Sequence, residues 1–281
     1  MKTMGRCRTA TTFFAVAVSM MGCAILHPNA TGRAVERFTP GEVRLGDGAQ
    51  IAYYVREGRG PCVVLIPGSW GDWRVYDGVV ANLPSNLKIV IVELRGHGRS
   101  QPPTLNGSIE LFADDVSAVV DALELKGYYV GGHSIGGMIA IEIAGREPDG
   151  LEGAIGIEGW THHTVLRDAF EGDLASTLGA EQQAQNQANR DRVQRHLTKE
   201  QIDSFGAVWR RWDGSAILES TSVPILEIWG DRGATPPSLR AMKIPDRPNI
   251  EVVWINNASH SLLVERPGEV ASAIARFVEK P

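Results

Sequence analysis

The chain has 281 residues, a formal charge of −5, 43% hydrophobic and 22% charged residues, and three cysteines. The hydrophobic content is too high for a disordered chain, three cysteines are too few for a disulfide scaffold, and the acidic balance gives no electrostatic footprint for nucleic acid. A globular enzyme or binding protein of one or two domains remains, with enough residues for a sizeable core.

The first 23 residues resemble a bacterial export signal. Three basic residues precede an apolar run over 13–21, and Gly22 and Cys23 follow it. The apolar run is too short to span a bilayer comfortably, which favours a secretory signal over a membrane helix. The ending is similar to a lipobox, although Met20 stands where leucine is usual.

We expect residues 1–23 to be a signal peptide whose Cys23 becomes the lipid-bearing first residue of the mature protein. Ordinary cleavage near Ala24 and a retained anchor are the alternatives. Each outcome places this bacterial protein outside the cytoplasm, lipid-anchored in the cell envelope or otherwise periplasmic or secreted. A lipid on Cys23 is the one membrane contact that we expect, and residues 24–37 then form a tether.

Strand and helix patterns alternate along the rest of the chain. This alternation predicts an α/β fold, in which helices cover both faces of a mostly parallel sheet. The predicted strands lie near Val43 and at Ile51–Val55, Val63–Ile66, Ile89–Glu93, Tyr128–Val130, Ala154–Ile157, Ile225–Trp229 and Val252–Ile255. The predicted helices lie at Tyr76–Leu83, Ile109–Leu123, Ile135–Arg146 and Pro267–Glu279.

The segment 160–221 interrupts the alternation. It has no convincing strand, and its composition of Gln, Asn, Arg and Ala favours helix. We therefore predict a core of residues 38–159 and 222–281, with a small helical cap at 160–221 inserted after the sixth strand. Such a cap lies above the carboxyl ends of the strands, where open α/β sheets bind ligands.

The predicted helix Ile109–Leu123 has apolar residues at spacings of three and four, which make one buried stripe. Its charged residues, including Asp114, Asp115 and Asp121, are expected to form a solvated face.

A G-x-S-x-G sequence lies between the fifth predicted strand and the helix that follows it. Gly132 and Gly136 flank Ser134 at a spacing of two, and a nucleophile on a sharp strand-to-helix turn needs such neighbours without side chains. Ser134 would then project into a cleft. The backbone N–H of Ile135, at the helix N-terminus, would be free to donate to an oxyanion.

Together with this motif, three further segments resemble the α/β-hydrolase fold family over residues 38–281. Each segment occurs in the family's order along the chain. They are Pro67-Gly68-Ser69-Trp70, Glu93-Leu94-Arg95-Gly96-His97-Gly98-Arg99-Ser100, and Ala258-Ser259-His260-Ser261 followed by Glu265-Arg266-Pro267. The resemblance implies an eight-stranded sheet and places a catalytic histidine at His260, where a neutral imidazole can accept a serine proton. His133, inside the serine elbow (the strand-to-helix turn at residues 132–136), is expected to point away from the cleft.

The acid of the implied triad has two candidates in this chain. The family usually carries it three residues after a glycine that follows the seventh strand, but Gly233 stands there in this chain. Asp231 lies two residues too early. Some family members carry the acid after the sixth strand instead, where this chain has Glu158, a carboxylate that would need a partner if buried. We favour Glu158 and keep Asp231 as the alternative.

The resemblance also assigns the second oxyanion donor to the backbone N–H of Ser69. Pro67 replaces the family's histidine, so we expect Trp70 or Trp73 to brace this loop. Trp160, Trp209 and Trp212 fall in the insertion; together with Trp70 and Trp73, they either roof a pocket suited to an apolar acyl or aryl group or simply fasten the cap.

We therefore expect a serine hydrolase that cleaves a small-molecule carboxylic ester through an acyl-enzyme. Ser134 is the nucleophile, His260 the base and Glu158 the acid, and the Ser69 and Ile135 amides form the oxyanion hole. No metal or cofactor is expected. Amide, lactone or C–C hydrolysis, perhydrolysis, or a non-catalytic binding protein that has lost its acid are the alternatives, and the oligomeric state stays open.

Overall fold

An eight-stranded sheet organises the part of the chain that the computed structural model describes, residues 38–172 and 178–280. The predicted signal at 1–23, with Cys23, and the tether at 24–37 lie outside the described residues. The strands are β1 (Thr39–Arg44), β2 (Gln50–Arg56), β3 (Cys62–Ile66), β4 (Lys88–Val92), β5 (Tyr128–His133), β6 (Leu151–Ile157), β7 (Ile225–Gly230) and β8 (Ile250–Ile255).

The strands are ordered β1-β2-β4-β3-β5-β6-β7-β8 across the sheet. β2 is antiparallel to β1 and β4, and every other neighbouring pair is parallel. The chain reverses its direction across the sheet after β3, which lies between β4 and β5. The carboxyl ends of the parallel strands therefore meet at one edge, where open sheets of this kind bind ligands.

Helices cover both faces of the sheet. They are α1 (Asp77–Val80), α2 (Ile109–Ala122), α3 (Ile135–Arg146), α4 (Val165–Phe170), α5 (Ala180–Gln194), α6 (Lys199–Ala207), α7 (Ser215–Ser220), α8 (Leu262–Glu265) and α9 (Pro267–Val278), with 3-10 turns at Trp73–Tyr76 and Val208–Arg211. Two apolar clusters result, one containing Phe112 of α2 and Met138 of α3, the other Val79 of α1 and Ile274 of α9. No helix in these described ranges is both long and apolar enough to cross a membrane.

This architecture confirms the predicted fold class, including the helical insertion after β6. The helix predicted at Tyr76–Leu83 is shorter than expected, since α1 ends at Val80. Leu83 precedes Pro84, and the proline ring disfavours helical backbone in the residue before it. Cys62, the one cysteine among the described residues, is a free thiol at the start of β3, and burial raises its pKa to about 11.

The insertion consists of α4 to α7, and polar contacts join it to the core. In α5, Arg192 donates from Nε to Asp72 Oδ2 at 2.8 Å, and Asp72 lies in the loop after β3. In α6, Phe205 packs against the rings of Trp70 and His97 at centroid distances of 4.9 and 4.5 Å. These contacts hold the insertion over the carboxyl edge of the sheet.

The expectation of a solvated acidic face on α2 is wrong for Asp115. Asp114 and Asp121 are exposed, but Asp115 is buried and accepts two hydrogen bonds from Arg95, at 2.6 and 2.7 Å. The guanidinium of Arg95 lies in the loop after β4, so this buried pair joins that loop to α2. A buried charge requires such a partner, which local helical spacing does not reveal.

Candidate active site

The residues singled out in the sequence follow neighbouring parallel strands. Ile66 at the end of β3 pairs with Gly132 of β5, His133 pairs with Ile157 of β6, and Gly230 of β7 pairs with Ile255 of β8. The residues that immediately follow these strands are therefore assembled at one edge. They include Ser134, Glu158 and, after a short loop, His260.

Ser134 occupies a strained turn between β5 and α3. Its φ of 54° and ψ of −121° are unusual for a residue with a side chain. The turn is close-packed: a Cβ on Gly132 would collide with the backbone of Gly136, and one on Gly136 would collide with the carbonyl of Ile66. The two glycines of the motif are therefore required by backbone contact, and the strain points Ser134 into the cavity described below.

Glu158 and His260 are in contact. The Nδ1 atom of His260 lies 3.2 Å from Oε2 of Glu158. Glu158 follows β6 with a φ of 51°, and its backbone N–H donates to the carbonyl of Ile228 at 2.9 Å. The carboxylate is thus aimed at the imidazole by a backbone turn that β7 fixes.

Three further hydrogen bonds hold the Glu158 carboxylate. Oε1 accepts from the backbone N–H of Gly230 at 2.8 Å and from Nη1 of Arg232 at 2.7 Å, and Oε2 accepts from Nη2 of Arg232 at 2.7 Å. The Glu158 and Arg232 side chains are 0% and 8% exposed. Burial raises the pKa of Glu158, but the hydrogen bonds from Arg232 and His260 outweigh it and bring the pKa to about 2. Glu158 is therefore ionised at neutral pH.

Asp231, the alternative acid, has a different role in the structure. Its Oδ1 accepts from the backbone N–H groups of Gly233 and Asn257, both at 2.7 Å. The first bond closes the turn after β7, and the second joins that turn to the loop after β8. The structure brings Glu158, and not Asp231, to His260.

The loop after β3 lies directly against the elbow. A Cβ on Gly68 would fall 2.6 Å from Nδ1 of His133 and 3.3 Å from Cβ of Ser134. Ser69 and Ile135, the two residues expected to donate to an oxyanion, both line the cavity that contains Ser134. Within the described ranges, neither backbone N–H has a hydrogen-bond partner.

His97 braces this loop. The backbone N–H of Trp70 donates to Nε2 of His97 at 3.2 Å, and Nδ1 of His97 lies 3.0 Å from the carbonyl of Arg95. Burial lowers the pKa of His97 to about 4, so the ring is neutral and Nε2 can accept. Trp70 has a φ of 64°, and its ring stacks on His97 at 5.6 Å. The expectation that Trp70 or Trp73 supplies the brace is therefore incomplete, because His97 provides the acceptor.

His133 does not point away from the cleft, contrary to expectation. Its Nε2 lies 2.7 Å from the backbone carbonyl of His260, the two rings are 4.9 Å apart, and His133 lines the cavity. Burial lowers its pKa to about 4, which keeps the ring neutral. His133 therefore supports the loop that carries His260.

Ser134 and His260 share a cavity of about 410 Å³. Three of the five tryptophans expected in a roof line it: Trp70, Trp160 and Trp209. Trp212 instead donates to Glu142 at 3.2 Å, and Trp73 stacks on Tyr54. The rest of the lining includes Met138, Leu166, Leu263 and Val264, together with Asn186, Asn189 and Arg190 of α5.

Residues 63–273 match the family model described as the alpha/beta hydrolase family. The chain belongs to the alpha/beta hydrolase family. The match runs from β3 into α9, so it includes the insertion and the core apart from β1, β2 and the end of α9. This assignment agrees with the sheet order and with the position of the serine elbow.

Relatives of this alpha/beta hydrolase carry several different names. A provisionally named carbamate hydrolase of Agrobacterium fabrum is 33% identical over 103 residues, 36% of this chain and 39% of that protein. A pimeloyl-[acyl-carrier protein] methyl ester esterase of Neisseria meningitidis is 24% identical over 244 residues, 77% of this chain and 93% of that protein. The enol-lactonase of Burkholderia xenovorans superposes with a TM-score of 0.68 at 22% identity, over 83% of this chain and 98% of that one. The match thus spans well under half of the Agrobacterium relative, and the solved structure supports the fold alone.

Three supporting residues were not assigned from the sequence: Arg232, His97 and His133. The need for a partner to Glu158 was visible, but Arg232 is 74 positions away and no local pattern identifies it. His97 and His133 lie within recognised motifs, yet their roles depend on contacts with other loops.

We predict that Arg232→Met destabilises the fold by about 3–5 kcal/mol at pH 7, because it leaves the buried Glu158 charge without its main partner. Glu158 has its folded-state pKa depressed to about 2 from an ordinary value of 4.5. The stabilisation from the pair is therefore present above pH 4.5 and is lost as the pH falls towards 2.

Chemical denaturation of the wild type and of Arg232→Met across pH 3–7 measures this difference. It should be largest at pH 7 and should shrink below pH 4.5. Arg211→Met, which replaces an exposed arginine of the insertion, should cost little at any pH. A loss for Arg232→Met that is the same at every pH would show that packing, and not charge, accounts for it.

Proposed function

We propose that this alpha/beta hydrolase is a serine hydrolase that cleaves carboxylic esters through an acyl-enzyme. The observation that carries the proposal is the 3.2 Å contact of His260 with an ionised, buried Glu158 at the edge where Ser134 occupies a strained turn. Nucleophile, acid and histidine come in the chain order expected of this fold.

The first half of the reaction forms the acyl-enzyme. Glu158 accepts a hydrogen bond from the Nδ1–H group of His260, so the proton stays on Nδ1 and Nε2 is the basic nitrogen. This nitrogen removes the proton of the Ser134 hydroxyl as its oxygen adds to the ester carbonyl. The carbonyl oxygen becomes an oxyanion, and His260 then gives the proton to the departing alcohol.

The second half of the reaction hydrolyses the acyl-enzyme, with water as the nucleophile in place of Ser134. His260 deprotonates a water molecule that adds to the acyl carbonyl, and the protonated His260 returns a proton to Ser134 as the carboxylic acid leaves. The Ser69 and Ile135 amides donate to the oxyanion in both halves. Such preorganised donors are worth about 3–4 kcal/mol each in related chemistry.

Several features favour ester hydrolysis. A serine at position 134 forms an acyl ester, whereas alkyl halide or epoxide hydrolysis in this fold uses aspartate at the elbow. The cavity walls supplied by Trp160, Trp209 and Leu166 suit the apolar part of an ester. One relative is named as a methyl ester esterase. The alternative of a non-catalytic binding protein rested on the absence of an acid at Gly233. Glu158 contacts His260 and can serve as that acid, so this reason no longer applies.

Ser134→Ala should abolish turnover of short-chain nitrophenyl esters and labelling by a fluorophosphonate probe, since the acyl and phosphonyl bonds form at this hydroxyl. The leaderless protein and steady-state rates provide the measurement. Ser261→Ala is the matched control, because Ser261 also lines the cavity. An absence of turnover on a broad ester panel, with no labelling of wild-type Ser134, would refute the serine hydrolase proposal.

Glu158→Gln should lower kcat by about 10²–10⁴-fold, because the histidine loses the carboxylate that selects its tautomer. Asp231→Asn should leave kcat nearly unchanged, since among the described contacts the Asp231 carboxylate bonds only backbone N–H groups, those of Gly233 and Asn257, and not His260. Circular dichroism of both variants checks that the fold is kept. The opposite pattern, with kcat lost only in Asp231→Asn, would transfer the acid to Asp231.

We also propose that the chain is exported and that Cys23 is lipidated. The support is the basic start, the apolar run over 13–21 and the Gly-Cys pair. In cells fed labelled palmitate, the full-length chain should take up label and fractionate with the envelope, and Cys23→Ser should lose the label. Labelling that persists in Cys23→Ser would contradict the assignment of Cys23.

A further inference from the structure

We propose that the α5 wall, formed by Asn186, Asn189 and Arg190, binds a free carboxylate of the substrate. The preferred substrates would then be esters that carry an anionic group, such as monoesters of short dicarboxylic acids. This inference rests on the proposed ester hydrolysis, because it names the substrate class of the same cavity. All three residues line the cavity together with Ser134 and His260.

An ion pair places the α5 wall beside the loop after β3, which contains Ser69. Arg192 pairs with Asp72 at 2.8 Å, and Asp72 is almost fully buried, three residues after Ser69. A helix rises about 1.5 Å per residue, so Asn189 and Arg190 lie within about 5 Å of Arg192 along the axis. The Arg192–Asp72 pair therefore holds the α5 wall close to Ser69 and to the part of the cavity that contains Ser134.

The hydrogen bonds of Asn189 determine which end of its amide is free. Its Oδ1 accepts from Nη2 of Arg192 at 2.9 Å and from Nε2 of Gln185 at 3.1 Å. Because a guanidinium can only donate, the amide oxygen faces Arg192 and the NH₂ group faces away. That NH₂ group has no partner among the described residues. Asn189 thus offers donors, and not an acceptor, to a ligand.

Arg190 offers a permanent positive charge. It is exposed and makes no ion pair or hydrogen bond within residues 38–172 and 178–280, whereas Arg192 has Asp72. The acid next to it in sequence, Asp191, accepts instead from Gln187 at 2.7 Å. A guanidinium with five free donors matches the two oxygens of a carboxylate.

The remaining lining contains no carboxylate that would neutralise Arg190 or repel an anion. None of the cavity-lining residues that the structure describes is Asp or Glu. His133 is held neutral by burial. A ligand cation would meet Arg190 with no compensating carboxylate, while a ligand anion would meet one positive charge and free N–H donors. The volume of about 410 Å³ suits a short acyl chain with its carboxylate.

The test compares the monomethyl and dimethyl esters of one five-carbon dicarboxylic acid, which differ in one negative charge. In the wild type, kcat/KM should favour the monoester. Arg190→Gln should lower the monoester-to-diester ratio of kcat/KM by about tenfold, mainly through KM, and Arg190→Lys should restore part of it. Raising the salt from about 20 mM to about 500 mM should lower the wild-type ratio as well, because the site is exposed.

Arg195→Gln is the matched control. Arg195 is an exposed arginine at the end of the same helix, outside the cavity lining, so its loss changes the net charge equally. Its ratio should stay within about twofold of the wild type. Two outcomes would overturn the inference, provided that both esters are turned over. In the first, Arg190→Gln leaves the monoester-to-diester ratio of kcat/KM unchanged; in the second, Arg195→Gln lowers this ratio as much as Arg190→Gln does.

Calorimetric titration of the five-carbon dicarboxylate into Ser134→Ala tests the wall without chemistry. We expect binding that weakens by about tenfold when Arg190→Gln is added. Binding of this kind with no ester turnover in the wild type would refute the proposed reaction and keep the anion site. An absence of Arg190-dependent binding would overturn the anion site whatever the turnover.

Discussion

The candidate site depends on one buried negative charge, the Glu158 carboxylate. A carboxylate at 0% exposure is stable only if hydrogen bonds replace its lost hydration. Gly230 supplies one of these bonds from the end of β7, and Arg232 and His260 supply the others from the loops that follow β7 and β8. The same charge therefore joins the loops and aims the imidazole. The guanidinium of Arg232 is itself covered by the Phe170 ring at 3.8 Å, which ties the insertion to this pair.

Two neutral histidines complete the support around the elbow. His97 accepts the backbone N–H of Trp70 and His133 contacts the backbone carbonyl of His260. The contact with Trp70 requires an uncharged His97 ring, because Nε2 must accept, and burial lowers the pKa of both rings to about 4. Neither ring therefore adds a charge beside Ser134 and His260 at neutral pH. The proposed proton transfers between His260 and Ser134 then occur beside rings that do not titrate near neutral pH.

The insertion gives the cavity both apolar and polar walls. Its tryptophans supply apolar surface near the nucleophile, while α5 presents amide and guanidinium donors. The Asp72–Arg192 pair joins α5 to the loop after β3, and it anchors a largely polar helix that has little apolar surface of its own to bury. Under the proposed function, such an arrangement would select a substrate by charge at one end of the cavity and by apolar contact near the reacting bond.

Periodicity and local motifs were sufficient for the sheet, α2, α3 and α9, because each depends on neighbours within a few residues. The elbow at Ser134 was also predictable, since close backbone approach demands glycine at 132 and 136. Tertiary structure alone decided that Asp115 is buried against Arg95, that Glu158 meets Arg232, and that His97 replaces the brace lost at Pro67. Those contacts join segments 20 to 74 positions apart, or separate loops, and burial creates the demand for them. A one-dimensional pattern shows which residues could be buried; only the packed fold shows which partner satisfies each charge.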